Sequence, residues 1–152
     1  MKKILFVCLG NICRSQMAET IFRDMVNKAG RNDDFFIDSA GTSSCNQGRP
    51  ADYRAIAKLA QHGLSTEHKA RQVESEDFDD FDYILAMDSD NYETLMWMAG
   101  DNEKGKEKIM MFRTFDPEGN GSVPDPYYGG DEGFENVFNM CERTCKSLLE
   151  KT

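Results

Sequence analysis

The chain has 152 residues, 39% of them hydrophobic and 30% charged, a composition typical of a single globular domain spanning residues 1–152. Its 27 acidic and 18 basic side chains give a net charge of −9, which disfavours binding to nucleic acid and to anionic membrane surfaces. No apolar stretch reaches the roughly 18 residues of a membrane-spanning helix, and Gly10 and Asn11 interrupt the apolar amino terminus before it could serve as a signal peptide. Five cysteines without the paired spacing of a disulfide framework indicate thiols in a cytoplasmic protein.

The predicted elements alternate between strands and helices. Residues 4–8, ILFVC, form a continuous apolar run that predicts a strand buried on both faces, and apolar positions from Ala18 to Val26 recur at helical spacing until Gly30. Further strands are predicted at 35–38, 83–87 and 108–112, and further helices at 55–63, after Asp88 and at 134–149. We expect a single-domain α/β fold, a four-stranded parallel sheet with helices on both faces and the flavodoxin-like strand order 2-1-3-4. Ligands of such sheets bind beyond the carboxyl ends of the strands.

The segment 113–133 is predicted to be a loop, because it holds three of the four prolines and five glycines. A connection of this length inside one domain usually has a functional use. It carries Asp125, Tyr127 and Tyr128, so we expect it to contribute to a binding site.

Residues 7–15, VCLGNICRS, connect the first strand to the first helix. Backbone N–H groups of the loop and the positive end of the helix dipole favour an anion at this point. Gly10 is expected to supply backbone angles that a larger residue would resist. Arg14 adds a planar guanidinium that can bind two oxygen atoms at once.

The same positive field favours the thiolate form of Cys8, at the end of the predicted strand. A thiolate beneath a bound anion is placed to act as a nucleophile on it. Ser15 can donate its hydroxyl hydrogen to the sulfur and so stabilise the thiolate. We therefore expect a phosphate-like ligand and nucleophilic chemistry at this loop.

The motif CLGNICRS, between an apolar strand and an amphipathic helix, resembles the signature of the low-molecular-weight protein tyrosine phosphatases. The likeness runs nearly end to end and includes IDSAGT at 37–42, HKARQV at 68–73, FDYILAMD at 81–88 and DPYYG at 125–129. It implies a cofactor-free enzyme that acts on phosphotyrosine proteins or peptides and on small aryl phosphates, mostly as a monomer.

The resemblance assigns chemical roles to three residues. Cys8 would attack phosphorus to form a phosphocysteine, and Arg14 would hold the phosphate. The family's general acid is the aspartate of the DPYY loop, so Asp125 would protonate the leaving oxygen and then activate a water molecule. The phosphate would be bound by Leu9, Gly10, Asn11, Ile12, Cys13, Arg14 and Ser15.

The resemblance also implies a substrate pocket formed by Leu9, Ile12, Cys45, Asn46, Tyr127 and Tyr128. The two tyrosines would flank the ring of the substrate. Protein arginine phosphatases have threonine at the counterpart of Ile12, so isoleucine favours an aryl phosphate. Many family members have an aromatic residue where this chain has Cys45, a difference that bears on substrate preference and pocket depth.

Supporting and redox roles are implied in the same way. The resemblance joins His68 to a hydrogen-bond network that holds the loop, formed with Asn11, Ser15 and Ser39, and it gives His62 a structural role. Cys8 and Cys13 match a pair that closes a disulfide in the family, which predicts reversible inactivation by oxidation.

Two alternative functions remain open on the same fold. An arsenate reductase would carry further redox cysteines after the third strand, whereas YILAMDSDNYETLMW contains none. A non-catalytic phosphate-binding or redox-sensing module would need neither the nucleophile nor the acid. We expect no metal site, because Cys8 and Cys13 lack the C-x-x-C spacing of zinc ligands and DPEGNGSVPDPY lacks the final glutamate of a calcium loop.

Overall fold

Four parallel strands form the central sheet of the computed structural model, which describes residues 1–127 and 129–152. The strands are β1 (Lys2–Cys8), β2 (Phe35–Gly41), β3 (Tyr83–Ala86) and β4 (Ile109–Met111), and their order across the sheet is β2-β1-β3-β4. The predicted fold class and strand order are therefore confirmed. Cys8 lies opposite Gly41 of β2, so the carboxyl ends of β1 and β2 lie side by side at one edge of the sheet.

Helices connect the strands and cover both faces of the sheet. They are α1 (Arg14–Lys28), α2 (Tyr53–Gln61), α3 (Asp77–Asp80), α4 (Ser89–Ala99), α5 (Glu103–Glu107) and α6 (Asp131–Lys151), with short 3₁₀ helices at Asn32–Asp34 and Phe112–Phe115. The strand predicted at 108–112 was wrong at both end positions, because β4 spans only Ile109–Met111. Phe112 instead begins a 3₁₀ turn that places its buried ring edge-on against Phe6, with the ring centroids 5.6 Å apart.

The alternation of side chains along β1 creates two apolar cores. Ile4, Phe6 and Cys8 face a core built largely from α1 and α6, whereas Leu5 and Val7 face a core built with α3 and α4. Because helices cover both faces of the sheet, β1 is a continuous apolar run in the sequence. The two cysteines of α6, Cys141 and Cys145, lie on its buried side and are both 0% exposed.

Backbone hydrogen bonds hold the connecting loops against the carboxyl ends of the strands. Thr42 N–H donates to Cys8 O over 2.9 Å, and Val123 N–H donates to Met87 O over 2.7 Å. The second bond brings the segment after β4 back to the end of β3, beside the first loop. Among the described residues, no helix has the length and apolar character needed to cross a membrane.

Candidate active site

The loop of residues 8–15 curls around the sulfur of Cys8. The backbone N–H of Asn11 donates to Cys8 Sγ over 3.3 Å, and Ser15 Oγ lies 3.0 Å from the same sulfur. Ser15 Oγ already accepts a hydrogen bond from Asn11 Nδ2 at 2.7 Å, so its own hydrogen can be donated to the sulfur. These two donors stabilise negative charge on Cys8.

The left-handed backbone of this loop belongs to Asn11, not to Gly10. Asn11 has a φ of 58°, and asparagine tolerates that region better than most residues. The expectation that Gly10 supplies unusual backbone angles was wrong, because its φ lies outside the left-handed region. Gly10 is instead constrained by a neighbour: a Cβ there would lie 2.6 Å from the side-chain nitrogen of Asn46.

Arg14, the first residue of α1, is buried and held by groups from two other segments. Its Nη1 donates to Asp88 Oδ2 over 2.6 Å and to the backbone oxygen of Val123 over 3.1 Å. Its Nη2 lies 3.6 Å from Asp125 Oδ2. Burial opposes the charged form, but the proximity of Cys8 and the hydrogen bond to Asp88 raise the pKa of Arg14 above its ordinary value. The guanidinium is therefore a fixed positive charge beside the sulfur.

A cleft of about 240 Å³ opens above Cys8 and contains most of the predicted site residues. It is lined by Cys8, Leu9, Gly10, Ile12, Cys13, Arg14, Cys45, Asn46, Asp125 and Tyr127. Tyr128, the remaining predicted pocket residue, lies outside the described residues. Asn11 and Ser15 are 0% exposed and lie behind the cleft.

Asp125 brings a carboxylate to the rim of this cleft. One oxygen, Oδ1, accepts a hydrogen bond from the Tyr127 backbone N–H at 3.0 Å, while Oδ2 is directed toward Arg14. The carboxylate is 38% exposed, which leaves room for a proton to be exchanged with solvent or with a ligand. The cleft thus combines a thiol, a guanidinium and a carboxyl group.

Behind the loop, Asn11 is held on both sides of its side chain. Asn11 Nδ2 donates to Ser39 Oγ over 3.0 Å in addition to Ser15, and Asn11 Oδ1 lies 3.0 Å from His68 Nε2. The structure therefore brings together the four residues of the network implied by the sequence. Ser39 Oγ in turn donates to Glu19 Oε1 over 2.6 Å.

Several residues around this network were not identified from the sequence. Glu19 ends the chain of hydrogen bonds, the Arg71 backbone N–H donates to Asn11 Oδ1 over 3.1 Å, and Gln16 Nε2 donates to the backbone oxygen of Asn11 over 3.0 Å. Asp88, the partner of Arg14, was also not among the site residues predicted from the sequence. Its position directly after β3 was the available signal, since the ends of neighbouring parallel strands meet at one edge.

Cys13, at the start of α1, is buried and lines the cleft. Burial, reinforced by the negative charges of Asp52, Cys8 and Asp125, raises the pKa of the Cys13 thiol well above its ordinary value. Cys13 is therefore a neutral thiol at physiological pH. The two cysteines of this loop thus differ in their surroundings, because the Asn11 N–H and the Ser15 hydroxyl are directed at the Cys8 sulfur.

Cys45 and Asn46 form another part of the cleft wall. Cys45 is exposed, and Asn46 Nδ2 donates to the backbone oxygen of Gly10 over 3.4 Å. His62 lies elsewhere and stacks on Phe138 of α6 with the ring centroids 3.8 Å apart. His62 is not among the residues that line the cleft.

Comparison with known proteins identifies the arrangement. Residues 3–152 match the family model of the low molecular weight phosphotyrosine protein phosphatases. The chain belongs to this family. It is accordingly a protein tyrosine phosphatase, and it is 45% identical to the low molecular weight phosphotyrosine protein phosphatase of Sus scrofa over 99% of this chain and 95% of that protein.

Two solved phosphatase structures are similar to this chain over 99% of its length. The protein tyrosine phosphatase of Entamoeba histolytica, crystallised with Hepes in its active site, matches with a TM-score of 0.94 at 40% identity, covering 99% of this chain and 96% of that one. A Drosophila arginine phosphatase matches with a TM-score of 0.90 at 37% identity, covering 99% of this chain and 97% of that one.

Proposed function

We propose that this phosphatase hydrolyses phosphotyrosine in proteins or peptides, and small aryl phosphates, through a phosphocysteine intermediate. The observation that carries the proposal is the convergence of Cys8, Arg14 and Asp125 on one cleft. The loop amides and Arg14 bind the phosphate oxygens. Phosphate binding alone would need only the positive field of the loop amides and Arg14. The Cys8 sulfur and the Asp125 carboxyl group are additional features that suit phosphoryl transfer.

The first half of the reaction transfers the phosphoryl group to Cys8. The thiolate attacks phosphorus, the ester P–O bond breaks, and Asp125 gives its proton to the leaving phenolic oxygen. A tyrosine oxygen has a pKa near 10, so protonation speeds its departure by typically 10²- to 10⁴-fold. Arg14, fixed by Asp88, holds two phosphate oxygens in line for the attack.

The second half releases phosphate. The Asp125 carboxylate removes a proton from water, the water oxygen attacks phosphorus, and the S–P bond breaks to return the thiolate. The hydrogen bond between Ser15 Oγ and Cys8 Sγ, 3.0 Å long, stabilises the departing sulfur. Asp125 ends the cycle protonated and ready for the next substrate.

Two variants test these steps. Cys8→Ser should abolish turnover of an aryl phosphate while still binding inorganic phosphate, a binding measurement that separates lost chemistry from lost folding. Asp125→Asn should slow phosphotyrosine hydrolysis by at least about 10²-fold, with a smaller loss for an activated nitrophenyl ester, whose oxygen needs less protonation. Asp131→Asn, at the start of α6 and outside the cleft, is the matched control. Equal losses on both esters would falsify the role of Asp125 as general acid.

We propose an aryl rather than a guanidino phosphate as substrate, because Ile12, Leu9 and Tyr127 give the cleft an apolar lining. The similarity to a Drosophila arginine phosphatase makes phosphoarginine the necessary comparison substrate. We expect kcat/KM for phosphotyrosine to exceed that for phosphoarginine. The Ile12→Thr substitution should lower the ratio of the first value to the second. A preference for phosphoarginine in the unaltered protein would reverse this assignment.

We further propose that oxidation inactivates the enzyme reversibly. Peroxide would oxidise the Cys8 thiolate to a sulfenic acid and itself be reduced to water. Cys13 sulfur would then attack the sulfenic sulfur, releasing water and closing a Cys8–Cys13 disulfide that a dithiol reduces. Because its raised pKa keeps Cys13 protonated, closure should accelerate as pH rises. Peptide mapping should link the two cysteines, and equally complete recovery in Cys13→Ala would exclude this route.

The setting of this chemistry is part of the proposal. The five thiols are unpaired in the structure, which suits a reducing cytoplasm and the thiolate mechanism. We propose a mostly monomeric cytoplasmic enzyme that does not bind nucleic acid or membranes. An arsenate reductase is disfavoured, because neither β3 nor α4 contributes a cysteine.

A further inference from the structure

Arg54, in the first turn of α2, connects the two loops that form the active site. Its side chain is 28% exposed, and Arg54 is not among the residues that line the cleft. The reaction proposed above gives it no role. Its guanidinium nevertheless has contacts in two directions, one toward the 8–15 loop and one toward the acid loop, residues 125–129, which carries Asp125.

Asp52 links Arg54 to the 8–15 loop. Arg54 Nε donates to Asp52 Oδ1 over 3.0 Å, and Arg54 Nη2 donates to Asp52 Oδ2 over 3.1 Å, a bidentate arrangement that fixes the plane of the guanidinium. Burial alone would raise the pKa of Asp52, but the hydrogen bonds from Arg54 lower it below its ordinary value. The backbone N–H of Asp52 donates to the backbone oxygen of Ile12 over 2.9 Å, so this ion pair is attached to the loop that carries Cys8.

Further contacts of the guanidinium reach the acid loop and the start of α6. Arg54 Nη1 donates to the backbone oxygen of Gly129 over 3.4 Å. The guanidinium carbon lies 5.2 Å from the centroid of the Tyr127 ring and 4.9 Å from that of the Phe134 ring. At these distances a cation and an aromatic ring attract each other. Arg54 therefore contacts the acid loop both at its backbone and at a side chain.

The position of the Asp125 carboxylate depends on the same part of the acid loop. Asp125 Oδ1 accepts a hydrogen bond from the Tyr127 backbone N–H at 3.0 Å, whereas Oδ2 lies 3.6 Å from Arg14 Nη2, which is long for a hydrogen bond. The bond from Tyr127 thus orients a carboxylate that is 38% exposed. Because Arg54 contacts the ring of Tyr127, a loop released from Arg54 would carry the carboxylate away with it.

Lys58, one turn further along α2, makes a different connection. Its Nζ lies 2.7 Å from Glu135 Oε2 and 3.2 Å from Asp131 Oδ1, and both of these residues belong to α6. These ion pairs fasten one helix to the other. Lys58 and Arg54 are thus two cations of one helix, of which Arg54 alone is bonded to the acid loop in the described part of the chain.

We propose that Arg54 is a positioning residue for the general acid: with Asp52, it holds the acid loop in place relative to the 8–15 loop. The proposal rests on the acid role of Asp125 proposed above. Arg54 acts through Asp125 and not on the phosphate itself. It therefore affects the protonation of the leaving oxygen, while phosphate binding and the attack of Cys8 stay unchanged.

The test compares two esters that share an aromatic ring but differ in their need for an acid. The leaving oxygen of phenyl phosphate resembles that of tyrosine, whose pKa is near 10, whereas a dinitrophenyl phosphate has a much weaker base as leaving group. Arg54→Met should lower kcat/KM at least about tenfold for the phenyl ester and less than about twofold for the dinitrophenyl ester. Turnover of the activated ester also shows that the variant is folded.

Two further variants assign this loss to Asp125. In an Asp125→Asn background, Arg54→Met should change kcat/KM for the phenyl ester by less than about twofold, because the group that Arg54 positions is no longer an acid. Asp52→Asn weakens the pair with Arg54 and should give a smaller loss with the same dependence on the leaving group. Lys58→Met is the matched control, which should lower Tm without changing the ratio of the two esters.

Three results would overturn the positioning role. They are an equal loss on both esters in Arg54→Met and Asp52→Asn, an undiminished effect of Arg54→Met in the Asp125→Asn background, and the same selective loss in Lys58→Met. A failure of the proposed function has a different signature. If Asp125→Asn alone slowed both esters equally, the acid role itself would be refuted, and the positioning role with it.

Discussion

Asp88 shows how one side chain can serve both a helix and the chemistry of the site. Its Oδ1 accepts a hydrogen bond from the Asn91 backbone N–H at 2.7 Å and so caps α4, while its Oδ2 binds Arg14 at 2.6 Å. The cap fixes the carboxylate to the end of β3, and the carboxylate fixes the guanidinium. The position of Arg14 therefore depends on a second strand as well as on its own loop.

Replacing Asp88 by asparagine separates these two roles. The amide oxygen preserves the cap, but the charged bond to Arg14 is lost, and such bonds contribute about 1.5–3 kcal/mol. We expect kcat/KM for an aryl phosphate to fall roughly 10- to 100-fold, and we expect Tm to fall as well because the lost bond also stabilises the fold. Asp90→Asn, exposed in the first turn of the same helix, is the control. A loss of Tm without a loss of kcat/KM would show that only the cap matters.

At the scale of elements, the close approach of β2 to the 8–15 loop makes Gly41 sensitive to substitution. A Cβ at Gly41 would lie 2.7 Å from Leu9 O and 3.2 Å from Asn11 N, both backbone atoms of the loop. A Cβ at Gly10 would lie 2.6 Å from Asn46 Nδ2, the end of a side chain that can move. The first clash displaces the loop, whereas the second displaces only its neighbour.

We therefore expect Gly41→Ala to lower kcat/KM roughly 10- to 100-fold, since misplacing reacting groups by about 1 Å costs that much. Gly10→Ala should cost clearly less. Steady-state kinetics on the two variants, with Tm as a check on folding, measures the difference. Equal losses would mean that the loop needs a glycine at residue 10 for a reason other than space.

Asp116 anchors the loop that carries Asp125. Its side chain is fully buried and accepts hydrogen bonds from Arg113 at 2.8 Å, from Arg143 of α6 at 2.9 Å and from the Glu118 backbone N–H at 2.9 Å. Burial alone would raise its pKa, but these donors outweigh burial and lower the pKa of Asp116 to about 2. The ionised form is thus bound much more strongly than the protonated one.

A carboxyl pKa lowered by folding contributes stability above its unfolded value near 4, and that contribution disappears as pH falls toward about 2. We expect Asp116→Asn to lower the free energy of unfolding by about 2 kcal/mol at neutral pH and by much less near pH 2. Urea unfolding at several pH values measures this, with the exposed Asp101→Asn as reference. A deficit that stays constant with pH would assign the loss to packing.

The elements differed in how well the sequence predicted them. The run at 4–8 and the stripe at 134–149 are long and strongly periodic, and both elements were found. The helices α3 and α5 have only four and five residues, too few for a helical period to show. The loop motif gave Cys8 and Arg14 directly, but Asp88 and Glu19 reach the site only through the folded sheet, and no local spacing could reveal them.

At the scale of the whole molecule, the positive groups of the active site are opposite in sign to the net charge of the chain. The net charge is −9, yet the proposed substrate is a dianion bound by loop amides and one buried guanidinium. Those groups act over a few ångströms, whereas the net charge acts over the Debye length, about 30 Å at 0.01 M salt and about 10 Å at 0.1 M. The negative net charge therefore governs the approach of the substrate, whereas the positive groups of the loop govern its binding.

This opposition predicts a preference among phosphotyrosine peptides. At low salt, a peptide with lysines around the phosphotyrosine should have a kcat/KM about tenfold above that of the same peptide with glutamates, because the molecule attracts the first and repels the second. At about 1 M salt, where the Debye length is about 3 Å, the two values should converge. Arg54 places an opposing charge near the rim, 5.2 Å from the Tyr127 ring, but it is already paired with Asp52 at 3.0 Å. A preference for the glutamate peptide would mean that Arg54 outweighs the net charge, and Arg54→Gln should then abolish it.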